Sequence, residues 1–408
     1  MPNVIPSKVE GSKTDNIKLK IKMKKLFFIA AIAGVALASC TKNEVNTPAE
    51  KGKISFAAPV VSAVTKAPED PEAPKGPVAG EINPSDKYPT DEEFNVFAVH
   101  HTGEYASAKG TTLYMEDVKV EYGDEDHNYW APEHVDGGVA YYWPENADSY
   151  LTFAAYSPSD TEGDIEWTAA NGFKLEDFVV EDLTVNQYDL MFSRRTFNKK
   201  NSTGGKSYEG VDINFEHALS SIVFKAKRAE EYAGTTIKLY SIAILNAYNK
   251  GTYEQGLVDD ATNKSSEGYP KWTPTGDEKD YVVYNNTTPA NIATGTTYDA
   301  NDSDVIVLPQ VFEREEAEGE TAGANDVSIK VVYSIQTATG EEIKQEKIVS
   351  LQIGNGGTQF KDKENNLISA WEIGKRYTYT ISFGLDKIYF SPEVETWTDV
   401  TINSNVAI

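Results

Sequence analysis

The histidines come first among the residues that could support chemistry, because neutral imidazole is a common metal ligand and general base. No two of them have the spacing of a metal-binding motif such as H-E-x-x-H. The five are His100, His101, His127, His134 and His217. Adjacent positions point to opposite faces of an extended strand, so the first two could not easily share an ion. With no nucleophile motif either, the sequence predicts a protein that is not an enzyme.

Two polar stretches resemble ligand-binding loops but break the rules of those motifs. Residues 202–207 end in Gly-Lys-Ser like a phosphate-binding loop, yet Lys200 stands where that motif needs its first glycine. Residues 299–304 open like a calcium loop, but Asp304 replaces the required glycine and Gln310 replaces the required glutamate. Both stretches are interpreted as solvated loops. We therefore predict no cofactor and no metal site.

Cys40 is the single cysteine of the 408-residue chain, and the residues before it give it a specific chemistry. Lys24 and Lys25 precede a 13-residue apolar run, 26–38, which is too short to span a membrane and fits an export signal. The run leads into Leu37-Ala38-Ser39-Cys40, which resembles the bacterial lipobox. In that chemistry the Cys40 thiol is acylated, and cleavage leaves it as the first residue. We therefore predict lipidation at Cys40 and export as a lipoprotein.

The charge of the chain limits its partners. Acidic residues number 63 against 38 basic ones, for a net charge of −25 at pH 7. Residues 1–39 hold seven lysines and two acids, so removing them leaves a net charge of −30. Such a surface repels phosphate backbones, and we predict no nucleic-acid partner.

A first strand is predicted directly after the polar tether over residues 40–52. Its apolar or small residues alternate with their neighbours, which is the pattern of a half-buried strand. They are Ile54, Phe56, Ala58, Val60, Ser62 and Val64. Pro59 cannot donate to a ladder, so the strand should be bulged or lie at an edge. The acidic, proline-rich stretch that follows, from Thr65 to about Pro89, is predicted to be a long exposed loop.

Strand patterns separated by turn residues fill most of the remaining chain and predict an all-β fold of two β-sandwiches. The predicted strands cover 94–100, 113–122, 138–143, 150–156, 188–192, 211–215, 221–227, 236–245, 304–308, 327–335, 346–353, 376–383 and 387–390. A long polar stretch, 249–300, is predicted to be an elaborated loop region. We divide the chain into an upstream extension and signal over 1–39, the tether 40–52, an N-terminal sandwich 53–208, a C-terminal sandwich 209–396 and a final strand 397–408.

That final strand has one apolar face with nothing after it to cover it. Val400, Ile402, Val406 and Ile408 alternate with polar or small residues. The row is similar in character to that of the first strand. The two ends of the chain could therefore occupy the same kind of groove, and we identify the last residues as a candidate donor strand.

Three segments, in order and together with the lipobox, resemble the fimbrillin family, the type V pilus subunits of the Bacteroidales and their Mfa-like relatives. They are Tyr-Trp-Pro at 142–144 leading to 150–158, Val-Asp-Ile-Asn-Phe-Glu-His-Ala-Leu-Ser at 211–220, and 371–381 followed by 388–397. The resemblance implies two transthyretin-like β-sandwich domains in tandem, in which His217 is structural.

The resemblance also implies how such a chain is assembled and where it acts. The lipid-anchored precursor reaches the outer membrane, and a maturation protease cuts after a basic residue in the loop behind the first strand. The C-terminal strand of another fimbrial subunit then fills the vacated groove. Here the cut would follow Lys66 and leave Ala67 first. The polymer would support adhesion to a host or bacterial surface ligand.

An alternative uses the aromatic residues as a glycan-binding platform on a surface lipoprotein. The chain has six tryptophans and 23 tyrosines. Those in or near turn-rich stretches are Tyr129, Trp130, Tyr141, Tyr142, Trp143 and Trp272. Burial in a β-sandwich core is the competing interpretation of the same residues.

Overall fold

Strands dominate the chain wherever the computed structural model describes it. The described residues are 52–61, 88–103, 112–123, 129–168, 171–181, 187–194, 196–199, 210–229, 234–256, 269–301, 304–314, 325–354, 357–385 and 388–397. Their one named helical element is a 3₁₀ turn at Pro132–His134, and no helix among them is long and apolar enough to cross a membrane. The predicted all-β class is confirmed.

The strands of the described residues are numbered along the chain. They are β1 (Val60–Val61), β2 (Phe94–Thr102), β3 (Thr112–Tyr122), β4 (Trp130–Ala131), β5 (Ser149–Ser157), β6 (Asp164–Thr168), β7 (Gly172–Val179), β8 (Met191–Ser193), β9 (Thr196–Lys199), β10 (Asn214–His217), β11 (Ser220–Arg228), β12 (Thr236–Gln255), β13 (Lys271–Asn291), β14 (Thr297–Asp299), β15 (Val305–Val307), β16 (Gln310–Val311), β17 (Ser328–Gln336), β18 (Glu342–Ser350), β19 (Ala370–Trp371), β20 (Lys375–Phe383) and β21 (Ile388–Thr396).

The first sheet has eight strands and contains the start of the described chain. Its order is β1-β10-β8-β5-β2-β3-β4, and β9 pairs with β5. Neighbours are antiparallel except for β1 and β10, which run parallel with Val60 opposite Asn214 and Val61 opposite Phe215. The first strand thus ends the row, and its regular pairing begins only after Pro59. Both features follow from the missing proline N–H.

Three further sheets, of five, six and two strands, complete the fold. The second sheet has the order β14-β11-β20-β21, with β15 also beside β11. The third has the order β18-β17-β12-β7-β6, with β13 also beside β12, and β16 pairs with β19. Strand β7, which precedes residue 208 in the sequence, pairs with β12, which follows it. The division into sandwiches at 208 and 209 stays a prediction.

The loop region predicted over 249–300 is wrong, because most of it forms a long hairpin. Strands β12 and β13 pair antiparallel from Lys238 with Asn291 to Glu254 with Lys271. Most β13 side chains are exposed on both faces, so the strand has no alternating apolar row to reveal it. Among the described strands β13 pairs only with β12, which leaves its other side unpaired.

The strand predicted over 138–143 is also wrong. The chain turns there: Gly137 has a φ of 76°, and the Gly138 N–H donates to the Val135 carbonyl at 2.7 Å. A Cβ on Gly138 would lie 2.1 Å from the Pro132 carbonyl oxygen, so only glycine fits this turn. Pairing is limited to the end of this stretch, where Tyr142 forms an isolated bridge with Lys53. Of the aromatic residues there, Trp143 is buried and Tyr142 is 54% exposed.

Apolar side chains fill both faces of the first sheet. Along β2, Phe94, Val96 and Ala98 belong to one core cluster, which we call the first core, while Phe97 and Val99 belong to the other, the second core. This division follows from the period of two in a strand. The second core continues between the second and third sheets. The first core is covered by residues 54–61, the aromatic residues near Trp130 and the start of β10.

The position of Ile244 in β12 generates a stability prediction. Ile244 is fully buried in the second core, whereas Ile343 of β18 is 62% exposed. We expect Ile244→Ala to lower the free energy of unfolding by about 2–5 kcal/mol, because it removes buried methylenes and leaves a cavity. Ile343→Ala, the matched control, should change it by no more than about 0.5 kcal/mol. Urea denaturation followed by fluorescence measures both, and equal effects would contradict the assigned burial.

Candidate functional site

Residues 52–61, which we call the first segment, are hydrogen bonded along one side to the aromatic stretch near Trp130. The Ile54 N–H donates to the Tyr141 carbonyl and the Phe56 N–H to the Trp130 carbonyl, both at 2.8 Å. These bonds tie the first half of the segment to a part of the chain that is far away in sequence. Its backbone polar groups there are satisfied without a regular strand.

The other side of the first segment is bonded to the chain leading into β10. The Ala57 N–H donates to the Val211 carbonyl at 3.0 Å, and the Val60 N–H donates to the Ile213 carbonyl at 3.1 Å. In return, the Val211 N–H donates to the Ser55 carbonyl at 2.8 Å. The segment therefore lies between two other stretches of chain and joins them.

The side chains of the first segment fill the first core. Phe56 is 1% exposed, and its ring meets those of Phe94 and Phe153 edge to face, with centroids 5.8 and 5.9 Å away. Ile54 and Val61 are also buried. Burial of each such side chain contributes roughly 1.5–3 kcal/mol, and the aromatic contacts add to it.

The single apolar row predicted from Ile54 to Val64 is wrong in its second half. Ile54 and Phe56 point inward as expected, but Ala58 is exposed and Val60 is only half-buried. Val61 is buried instead, so the alternation shifts by one residue around Pro59. The missing N–H of proline interrupts the ladder there and allows the shift. Ser62 and Val64 lie outside the described residues.

Tyr88, the first described residue after the first segment, bonds to that segment and packs on the first core. Its N–H donates to the Pro59 carbonyl at 3.2 Å, and its hydroxyl donates to the Glu93 carbonyl at 2.7 Å. Its ring centroid lies 5.4 Å from that of Trp130. Burial raises the pKa of the Tyr88 hydroxyl, which therefore stays neutral. The predicted cleavage residues Lys66 and Ala67 lie between Val61 and Tyr88 in the sequence, outside the described residues.

An ion pair holds the start of the first segment. Lys53 Nζ lies 3.1 Å from a carboxylate oxygen of Glu133, which also accepts a hydrogen bond from the Tyr129 hydroxyl at 2.8 Å. Burial opposes ionisation of Glu133, but these hydrogen bonds and the lysine charge outweigh it and lower its pKa. The stabilisation is therefore present above the ordinary pKa of a glutamate and is lost as the pH falls through the lowered value.

The chain leaves the described region at Trp397, which is fully buried. Its indole stacks on the His217 imidazole with centroids 4.0 Å apart and planes 6° from parallel. His217 Nδ1 lies 2.8 Å from a carboxylate oxygen of Asp189, and both side chains are fully buried. These contacts agree with the structural role that the resemblance implied for His217. The predicted donor residues Val400, Ile402, Val406 and Ile408 lie outside the described residues, as does Cys40.

The residues considered for metal or glycan binding have other roles in the fold. No group of three potential metal ligands occurs in the described part of the chain, and the Asp304 carboxylate pairs with the Arg376 guanidinium at 2.5 Å. Of the aromatic platform, Trp130 and Trp143 are buried, whereas Tyr142 is 54% exposed. A flat stacking surface of several aromatic rings is therefore not formed by these described residues.

Comparison with known proteins now places the chain. Residues 85–397 match a family model described as fimbrillin-like. The chain belongs to the fimbrillin-like family. The match includes Tyr88 and ends at Trp397, and it begins after the first segment. Membership supports a role as a fimbrial subunit. No curated protein matches this fimbrillin-like chain.

Several solved structures are similar to it at low sequence identity. A fimbrial protein from Bacteroides vulgatus is 16% identical with a TM-score of 0.49, covering 85% of this chain and all of its own. A fimbrilin from Porphyromonas gingivalis is 11% identical with a TM-score of 0.37, covering 86% and 98%. The tip fimbrial protein Mfa3 from the same organism is 12% identical with a TM-score of 0.32, covering 75% and 94%.

The burial of Phe56 generates a prediction about how firmly the first segment is attached. In Phe56→Ala the segment loses its main contacts with the first core, and we expect about 3–5 kcal/mol less stability for its attachment. Hydrogen exchange of the Ile54, Ala57 and Val60 amides measures this local opening. Ala58→Ser, at an exposed position of the same segment, is the control. Unchanged protection in Phe56→Ala would show that the segment is not held by this side chain.

Proposed function

We propose that the protein is a structural subunit of a surface fimbrium that polymerises by donor-strand exchange and supports adhesion. Its precursor is exported as a lipoprotein acylated at Cys40 and is anchored in the outer membrane. A maturation protease cuts after Lys66, and the first segment leaves. The C-terminal strand of a neighbouring subunit, containing Val400 to Ile408, then takes its place.

The observation that carries this proposal is the way in which the first segment is attached. It contributes Ile54, Phe56 and Val61 to the first core and is bonded on both sides, yet a proline-rich stretch of sequence separates it from Tyr88. It is therefore a part of the core that a single cut would disconnect from the rest of the domain. A segment buried this deeply leaves a specific vacancy.

The vacancy would expose two kinds of group that are costly in water. Phe94, Phe153 and Trp130 would lose their apolar cover, and the carbonyls of Val211 and Ile213 would lose their partners. An added extended strand restores both the apolar contacts and the ladder, which is the basis of β-augmentation. Exchange of one strand for another therefore preserves most of the favourable contacts.

The candidate donor residues are apolar and of a size suited to this exchange. Burial of Val400, Ile402, Val406 and Ile408 at roughly 1.5–3 kcal/mol each gives about 6–12 kcal/mol. Ordering a strand costs on the order of 1 kcal/mol per residue, so the ladder hydrogen bonds must contribute as well. Slow extraction of a strand held on both sides then makes the polymer durable.

The position of Lys66 generates a maturation prediction. Lys66 is the first basic residue after Val61, so cutting there releases the whole first segment. We expect Lys66→Ala to remain an uncut precursor and to form no detergent-resistant ladder on unboiled gels. The wild type should form a ladder that collapses on boiling, with Ala67 at its N-terminus. Lys75→Ala, in the same loop, is the matched control, and normal polymerisation of Lys66→Ala would refute this cleavage site.

The apolar row at the end of the chain generates a separate prediction. Replacing Val400, Ile402, Val406 and Ile408 by serine should leave a subunit that folds and is cut but cannot donate its strand. It should still accept a wild-type strand, because the groove is unchanged. Mixing the cut variant with uncut Lys66→Ala precursor, which can only donate, should give dimers on unboiled gels.

Serine at Thr401, Asn403 and Asn405 is the matched control and should polymerise normally, since these residues lie on the opposite face of the predicted strand. Equal polymerisation of both serine variants would show that the apolar row is not the donor face.

A further inference from the structure

The side chains between Phe390 and Trp397 give the end of the described chain an unusual attachment. Strand β21 lies at the edge of the second sheet and pairs only with β20 among the described strands. Ile388 and Phe390 are buried, but no side chain from Ser391 to Thr396 is. An edge strand held along one side only is easily peeled from its sheet.

Trp397 ends this weakly held stretch with a deep contact. Its indole is fully buried, and its backbone N–H donates to the Gly374 carbonyl at 3.0 Å. The ring lies flat on His217, whose own position is fixed by the buried Asp189 carboxylate. Toward the N-terminus, the next buried side chains are those of Phe390 and Ile388.

We propose that Trp397 is the anchor of the C-terminal segment, fixing the point at which that segment leaves the subunit. His217 is the positioning residue that holds the anchor ring, and Asp189 orients His217. The role deepens the proposed function and rests on it for its biological meaning, since tension on a donated strand would reach its own subunit at this ring. The anchor itself is a property of the single subunit.

Strand β10 connects this anchor to the groove of the first segment. Asn214 and Phe215 pair with β1, and His217, two residues later, carries the indole of Trp397. The strand is paired with β8 on its other side, where His217 lies opposite Met191. In a polymer, the strand received from one neighbour and the strand given to the next would therefore act on the two ends of the same four-residue strand.

Pulling single, uncut molecules tests the anchor without any polymerisation. The full, unlipidated chain offers Cys40 as one attachment point, and a cysteine added after Ile408 provides the other. In the wild type, β21 should stay in place until the main unfolding event. In Trp397→Leu we expect an additional early step, as β21 peels from its end back to Phe390. At a given force, β21 should detach on the order of tenfold faster in Trp397→Leu than in the wild type, where it detaches only with the main event, because the stacked pair is lost.

Three variants separate anchoring from general destabilisation. Trp397→Phe keeps a stacked ring and should behave like the wild type. His217→Asn keeps a donor for Asp189 but removes the ring, and should show the early step. Trp167→Leu removes an equally buried indole from the same second core, away from β21, and should lower thermal stability without adding the step.

The inference is overturned if Trp397→Leu and the wild type give the same traces, or if Trp167→Leu gives the same early step. Neither result depends on whether strands are exchanged. Conversely, absence of gel ladders from the wild type would refute the proposed assembly and leave the pulling result unaffected.

Discussion

Pairing of the first segment along both of its sides is the interaction on which the first core depends. The aromatic stretch near Trp130 and the chain entering β10 are not bonded to each other where Phe56 lies between them; each is bonded to the segment. Ten residues at the start of the described chain thus complete a core whose other members come from β2, β3, β4, β5, β8 and β10 and from the chain beside them. A strand in that place must meet few physical requirements: an extended backbone and apolar side chains at the inward positions.

The class of fold could be predicted from the sequence because it depends on local patterns. Alternating residues in a stretch such as 376–383 indicate a strand with one face buried and the other less so. β13 escaped this test because most of its side chains are exposed on both faces. The stretch 138–143 was misinterpreted because the chain turns at Gly138 and bonds to the first segment only at its end, from Tyr141 to Trp143. Sequence periodicity indicates which side chains are buried. It predicts a strand only where the buried residues also belong to a hydrogen-bonded ladder.

The candidate site was partly predictable for the same reason. Phe56 could be placed in an inward row, but its contacts with Phe94 and Phe153 depend on pairings between distant strands, which no local pattern encodes. The resemblance implied that His217 is structural, yet it did not reveal Asp189 or Trp397 as its partners. Those three residues come from separate parts of the chain, and only the pairing of β10 with β8 and the path of β21 bring them together. The one local signal that could have suggested an anchor is Trp397, which is followed by two polar residues and then by the alternating row from Val400.

The exposed edge of β13 has a consequence for the shape of any assembly. Among the described strands, this one of 21 residues pairs along one side only, so its other side is a long template for another chain. Pro274 and Pro289 interrupt that template, and Asp277 to Asp280 place three acids and one lysine in its middle. Two such edges repel each other at neutral pH and lack donors at the prolines, so lateral sheets are disfavoured. In the polymer that we propose, this edge therefore favours growth along one axis, as a thread rather than a ribbon.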